Sequence, residues 1–291
     1  MTQWNEIPIT EIQNVRIGHA QDEAHATGCT VLLFDQKAPC GLDVRGGGPA
    51  SRETQLLDPT ASNNGVHAVL LSGGSAYGLD AAGGVMKYLE GHGIGLRVGS
   101  ALVPIVVGSC IFDLGCVSDA VRPDADMGYA ACVDSEHPHN RCGNVGAGMG
   151  ATVGKLLGDA RCMKSGLGTY AVQVGQLQVG AVVVVNAIGD VFEMDSRKEL
   201  AGLLREDGTG MASSEEEAIR LMQLQSQFVS NTTIAAIVTN ANLSKSQMKK
   251  VAQLSSAPTA SPGPSAPSIP PWTATASMPS PVAVSPPAAT W

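Results

Sequence analysis

The chain has 291 residues, 44% hydrophobic and 15% charged, with 34 glycines and a formal net charge of −8. That length suits one large domain or two ordinary ones around a sizeable core. Sparse, net-acidic charge and 4% aromatic residues provide neither a basic footprint nor stacking platforms, which argues against nucleic-acid binding.

The first residues, MTQWNEIPITEIQ, lack a basic segment followed by an apolar run, so no signal peptide is expected. No stretch reaches the roughly 18 apolar residues of a spanning helix, so no membrane association is expected and the cytoplasm is the expected compartment. The seven cysteines are odd in number and form no C-x-x-C pair, which predicts buried thiols in a reducing environment.

Along the chain, residues 30–34 (TVLLF), 68–71 (AVLL) and 181–186 (AVVVVN) are continuous apolar runs, predicted as strands buried on both faces. Residues 77–89 (YGLDAAGGVMKYL) have helical spacing, with Gly91 as the predicted C-cap and Ser75 as the predicted cap of the helix start. Residues 213–225 open with SSEEE, a capping serine and an acidic first turn, and predict a further helix. Residues 234–238 predict a strand, and 244–254 (SKSQMKKVAQL) a short helix with a serine cap. Strands and helices mix throughout, so the class is α/β or α+β with a layered core.

From 251 to 291 there is no Asp, Glu, Lys or Arg, and residues 255–291 hold ten of the 17 prolines. Such composition predicts a disordered Pro/Ala/Ser tail after a single domain over 1–254.

Several motifs fail on spacing. The stretch 143–155 (GNVGAGMGATVGK) is neither a Walker loop nor a G-x-G-x-x-G fingerprint, which leaves a close glycine-lined backbone approach or the wall of an active site. Around Ser75 there is no G-x-S-x-G. His137 and His139 stand as H-P-H with no carboxylate or thiol at ligand spacing, so no metal and no cofactor are expected.

Residues 226–243 (SQFVSNTTIAAIVTNANL) place Asn231-Thr232-Thr233 at the head of an apolar strand. This is either a loop entering a buried strand or a junction primed for self-cleavage. In the second case Thr232 attacks the carbonyl of Asn231, and an acyl shift and hydrolysis free its α-amine. That amine, with an ordinary pKa of about 7.7–8.0, then serves as base for the neighbouring hydroxyl.

Nine separated blocks carry a family resemblance: ITEIQNVRIGHA, TGCTVLLF, DVRGGGPASRET, AVLLSGGSAYGLDAAGGVMKYL, VPIVVGSCIFDLG, GNVGAGMGATVGK, MKSGLGTYAV, VVVVNAIGDV and NTTIAAIVTNANLSK. In this order they resemble the self-processing aminopeptidases of the L-aminopeptidase/D-esterase type, which include β-peptidyl aminopeptidases and nylon-oligomer hydrolases.

The resemblance implies a four-layer αββα sandwich similar in form to the N-terminal-nucleophile hydrolases. It implies a cut between Asn231 and Thr232, giving an α chain 1–231 and a β chain from 232 with Thr232 as nucleophile. Asn186 matches the oxyanion-stabilising asparagine, with a strand-end cap as its bland alternative. Lys155 matches a lysine near the nucleophile, with a surface lysine as its alternative. The implied substrates are small peptides, amides or esters, and the implied assembly is a homotetramer of processed pairs.

The family's nylon-type members carry an Asp-Gly-Asp near the C-terminus, which this chain lacks. Codons can be chosen for residues 258–282 that read HGLARAIRPIHTPMDGDSIYALSR in another frame, which permits a second reading of 255–291 as an out-of-frame tail. That substitution is expected to remove a core strand and leave a sheet edge unpaired. Two other readings therefore stay open: an inactive frameshifted precursor, and an acyltransferase of the ornithine acetyltransferase type.

Overall fold

A computed structural model describes residues 4–193, 196–222 and 232–256 and, as backbone alone, 281–284. Its main elements in chain order begin with strands β1 (Val15–Asp22), β2 (Thr27–Ala38), β3 (Cys40–Leu42), β4 (Ala50–Arg52) and β5 (Val66–Ser72). Helix α1 (Ala81–Gly91), β6 (Val106–Cys110), helix α2 (Ala125–Asp134), β7 (Leu167–Val174) and β8 (Leu177–Asn186) follow. The last are helix α3 (Ser214–Met222), β9 (Thr232–Thr239), helix α4 (Lys245–Ser255) and β10 (Pro281–Val284).

Two sheets stack face to face. One has the order β1-β2-β5-β6-β4, and the other runs Asn5–Glu6, β7, β8, β9, β10, β3. Between them Leu32, Phe34, Val69, Leu71 and Val107 meet Val182, Val184, Ile234, Ala236 and Val238. On the far side of the first sheet Val31, Leu33, Ala68 and Leu70 pack against Val85 and Leu89 of α1 and Ala131 of α2. On the far side of the second, Met248 and Ala252 of α4 pack with Ile237. The layers are therefore α, β, β, α. Each buried Leu, Val or Phe contributes roughly 1.5–3 kcal/mol, so the central layer supplies most of the cohesion.

The predicted strands fall inside β2, β5, β8 and β9. Residues 30–34 and 68–71 are buried on both faces, because helices cover one side and a sheet the other. Residues 181–186 are not: Val182, Val184 and Asn186 are buried, while Ala181, Val183 and Val185 are half-buried on the outer face. Five consecutive apolar side chains concealed a one-sided strand.

The first helix also differs from its prediction. A 3-10 segment, Ser75–Asp80, precedes α1, and neither start carries a side-chain cap, so Ser75 does not cap it. Ser75 instead adopts φ 53°, which is unusual for a residue with a Cβ. At the other end Gly91 is the last helical residue. Gly93 takes the left-handed position at φ 74°, with Gly93 N–H donating to Glu90 O and Ile94 N–H to Leu89 O, a Schellman closure. The later caps form as predicted: Ser213 Oγ accepts from Glu216 N–H, and Ser244 forms a capping box with Gln247.

In the second sheet β10 lies parallel to β9 and antiparallel to β3. The edge expected to be unpaired is filled there by Pro281–Val284; residues 257–280 and 285–291 lie outside the described residues. Among the described residues no helix is long and apolar enough to cross a membrane.

Candidate active site

Antiparallel pairing of β8 with β9 runs in register from Val179 and Thr239 to Asn186 and Thr232. Side chains alternate along a strand, so Asn186 and Thr232 share the inner face with Val182, Val184, Ile234 and Ala236. The last residue of one strand thus stands opposite the first of the next. Asn186 is fully buried and Thr232 half-buried. Asn231, the other half of the expected junction, lies outside the described residues.

The Asn186 amide is held on every side. Its Oδ1 accepts from Lys155 Nζ at 2.7 Å and from the backbone N–H of Thr152 at 3.1 Å. Its Nδ2 donates to Phe112 O at 2.8 Å. Those partners fix which end is oxygen and which is nitrogen. One N–H is spent on Phe112; the amide group has a second proton to give. Asn186 is thus more than a strand-end cap.

Lys155 is 4% exposed, so it is not a surface lysine. Its Nζ also donates to Asn186 O at 3.1 Å. The preceding turn explains its aim: Gly154 has φ 69°, its N–H donates to Gly189 O and that of Lys155 to Ile188 O. Burial pulls the Lys155 ammonium down to about 8, partly opposed by the charges of Cys162, Asp159, Asp113 and Cys116. The same glycine-rich stretch approaches β7 closely, since a Cβ on Gly148 would lie 2.2 Å from Leu167 N. The close backbone approach expected of that stretch is present, and the stretch ends in a lysine beside a buried asparagine.

Lys155 and Thr152 open onto a cavity of about 440 Å³ whose wall includes Phe112, Asp113, Cys116, Asp159, Cys162 and Lys164. Asp113 is buried and accepts from Thr27 Oγ1 at 2.9 Å and Gly74 N–H at 2.6 Å. Burial raises its pKa and those two donors oppose the rise. Lys164 Nζ donates to Met149 O and Ala151 O, and burial lowers its pKa. Sequence reasoning singled out none of these wall residues. The block GSCIFDLG contained Phe112 and Asp113, but the carbonyl that holds Asn186 has no side-chain signature.

Two further expectations are corrected. His139 does have a carboxylate partner: its Nε2 lies 2.7 Å from Asp134 Oδ2, and Arg141 donates to the same carboxylate. The five-residue separation hid the pair. Among the described residues no cluster of three or more His, Cys, Asp or Glu could hold a metal ion. All seven cysteines are free, but only Cys29, Cys40, Cys110 and Cys132 are buried; Cys116 and Cys162 are half-buried and Cys142 is exposed.

The profile of peptidase family S58 matches residues 8–263. This chain belongs to peptidase family S58. Among similar proteins, an uncharacterized aminopeptidase of Mycobacterium leprae is 39% identical over 261 residues, covering 84% of this chain and 70% of that one. A 6-aminohexanoate-oligomer endohydrolase of Kocuria sp. is 31% identical over 255 residues, covering 84% and 66%.

The S58 fold also superposes on solved structures. A Burkholderia sp. beta-aminopeptidase matches with TM-score 0.59 and 18% identity over 98% of this chain and 75% of that one. The L-aminopeptidase D-Ala-esterase/amidase of Ochrobactrum anthropi, described as a variant of the Ntn-hydrolase fold, matches with TM-score 0.61 and 15% identity over 96% and 73%. These likenesses establish the layered hydrolase fold. The S58 assignment makes the chain a member of a family of aminopeptidases and amide hydrolases.

Proposed function

We propose that this chain is a self-cleaving amide-bond hydrolase whose nucleophile is Thr232, acting on small peptides, amides or esters. The observation that supports it best is the register pair: Thr232 heads β9 directly opposite a fully buried asparagine whose amide is locked by Lys155, Thr152 and Phe112.

In maturation Thr232 Oγ1 attacks the carbonyl carbon of Asn231. The C–O bond forms, the C–N bond breaks, and the hydroxyl proton passes to the departing nitrogen. Water hydrolyses the resulting ester, leaving a carboxylate on Asn231 and a free α-amine on Thr232.

In turnover that amine takes the Thr232 hydroxyl proton as Oγ1 attacks the substrate carbonyl. The oxyanion of the tetrahedral intermediate accepts the second N–H of Asn186 Nδ2. Lys155, bound to Asn186 Oδ1, withdraws electron density from the amide and strengthens that donor. The α-ammonium then protonates the leaving amine, and water, deprotonated by the same group, hydrolyses the acyl-enzyme.

A second reading, a precursor that does not mature, is favoured by one observation: the family match ends at residue 263, and no acidic residue follows Lys250. A denaturing gel separates the two. Fragments 1–231 and 232–291 from the wild type, and one unbroken band from Thr232→Ala, support the enzyme. One unbroken band from both supports the precursor.

A further inference from the structure

We propose that Cys116 and Cys162 form a modification site, where a hydroperoxide oxidises the two thiols to a disulfide that ties together the segments gripping Asn186. The thiol chemistry stands on its own; its effect on turnover rests on the hydrolase reading above.

Each of these cysteines ends a tight turn that an aspartate begins. Cys116 N–H donates to Asp113 O at 2.9 Å, and Cys162 N–H donates to Asp159 O at 3.4 Å. Both turns are anchored, the first by Thr27 Oγ1 and Gly74 N–H on Asp113, the second by Arg161 Nε on Leu204 O. They press against one another, since a Cβ added to Gly115 would lie 2.9 Å from Asp159 Oδ2. Both cysteines are half-buried and line one cavity together with Lys155 and Lys164. The charges act across that cavity. Burial raises the Cys116 thiol, Lys164 opposes the rise and Cys162 adds to it. Cys162 is also foremost among the charges that keep Lys155 protonated. An ammonium beside a thiol favours the thiolate, which is the reacting form. The other cysteines lack this setting. Cys29, Cys40, Cys110 and Cys132 are buried, and Cys142 is exposed beside Thr169.

The chain positions give the pair its consequence. Just ahead of one turn stands Phe112, whose carbonyl accepts from Asn186 Nδ2. Ahead of the other stands Lys155, whose Nζ donates to Asn186 Oδ1. A link between the turns therefore joins the segments that hold the two ends of one amide.

The chemistry balances with the peroxide as oxidant. One thiolate attacks a peroxide oxygen, an S–O bond forms, the O–O bond breaks, and the departing oxygen takes a proton. The second thiolate attacks the resulting sulfenic acid at sulfur. The S–S bond forms, the S–O bond breaks, and hydroxide leaves as water after taking a proton. The two sulfurs together supply the two electrons that reduce the peroxide.

The test treats full-length protein with hydrogen peroxide, blocks remaining thiols during unfolding, and maps peptides by mass without reductant. A linked Cys116–Cys162 peptide is expected, lost after dithiothreitol and absent from Cys116→Ser and Cys162→Ser. Its absence from wild type, under peroxide that oxidises the exposed Cys142, overturns the site. In protein that turns over, linkage is expected to lower kcat on an aminoacyl p-nitroanilide roughly ten- to hundredfold, reversibly with dithiothreitol. Each serine variant, compared with itself before and after peroxide, is expected to lack that reversible loss. An unchanged rate in fully linked wild type overturns the effect on Asn186. The same link is expected in Thr232→Ala, so failure of the nucleophile assignment would leave the thiol site standing.

Discussion

Asn186 and Thr232 are the terminal register pair of the β8–β9 ladder, one closing its strand and the other opening its own. Directly opposed residues of an antiparallel pair have Cα atoms about 4.5–5.5 Å apart, so an amide donor and a hydroxyl are placed together by backbone pairing alone. No loop has to be ordered to bring them together. The first consequence is for Asn186→Ala, which removes the proposed oxyanion donor and strips Lys155 of an acceptor. We expect kcat to fall by about 10²–10³-fold with a smaller change in KM, in steady-state assays on an aminoacyl p-nitroanilide.

Lys155 gives stability a pH signature. Burial lowers its pKa from the ordinary 10.5 to about 8, so between those values the unfolded chain holds a proton that the folded one has released. Stability therefore rises with pH across that window, and the burial cost is fully present below about 8. In urea titrations from pH 7 to 10.5, the midpoint of wild type relative to Lys155→Met is expected to climb. A constant gap would show that Lys155 does not titrate there.

Gly154 positions that lysine. With φ 69° and an added Cβ only 2.1 Å from Gly202 C, Gly154→Ala meets both backbone strain and a clash. A loss on the order of 2–4 kcal/mol is expected. Urea unfolding measures it, and activity should fall with it because the Lys155 backbone moves.

The legible part of the fold was what periodicity and caps encode. Residues 30–34, 68–71 and 234–238 are strands, and the serines at 213 and 244 start helices, because short-range rules govern both. Residues 181–186 show where pattern fails: valines on the half-buried face carry no mark distinguishing them from valines in the core. At the site, the strand-head position pointed to Thr232 and the family resemblance to Asn186 and Lys155, yet neither could show that Lys155 is buried or that it grips Asn186. The Phe112 carbonyl and the cavity around Asp159 arise from tertiary approach, across separations of 74 residues for Asn186 to Phe112.

Lys245 fastens the two parts that cleavage would separate. Its Nζ lies within hydrogen-bond reach of the carbonyls of Leu56, Asp58, Ala61 and Asn63, at 2.7–3.1 Å. Lys245→Met leaves these acceptors without their cation. A loss of about 2–3 kcal/mol is expected in urea unfolding, with faster proteolysis within residues 54–63.

The tail has its own check. If residues 258–282 are read out of frame, every wobble base in that stretch of the gene must be compatible with HGLARAIRPIHTPMDGDSIYALSR. Sequencing the gene reads this directly, and a single incompatible base contradicts the frameshift.

Cleavage of the Asn231–Thr232 peptide bond would give Thr232 its own amine, and intact-mass spectrometry of the purified protein reads whether that bond is broken. Two chains are expected, ending at Asn231 and starting at Thr232, with Thr232→Ala giving one full-length mass and no turnover. One unbroken chain that still hydrolyses an amide, or undiminished turnover in Thr232→Ala, would rule out Thr232 as an N-terminal nucleophile.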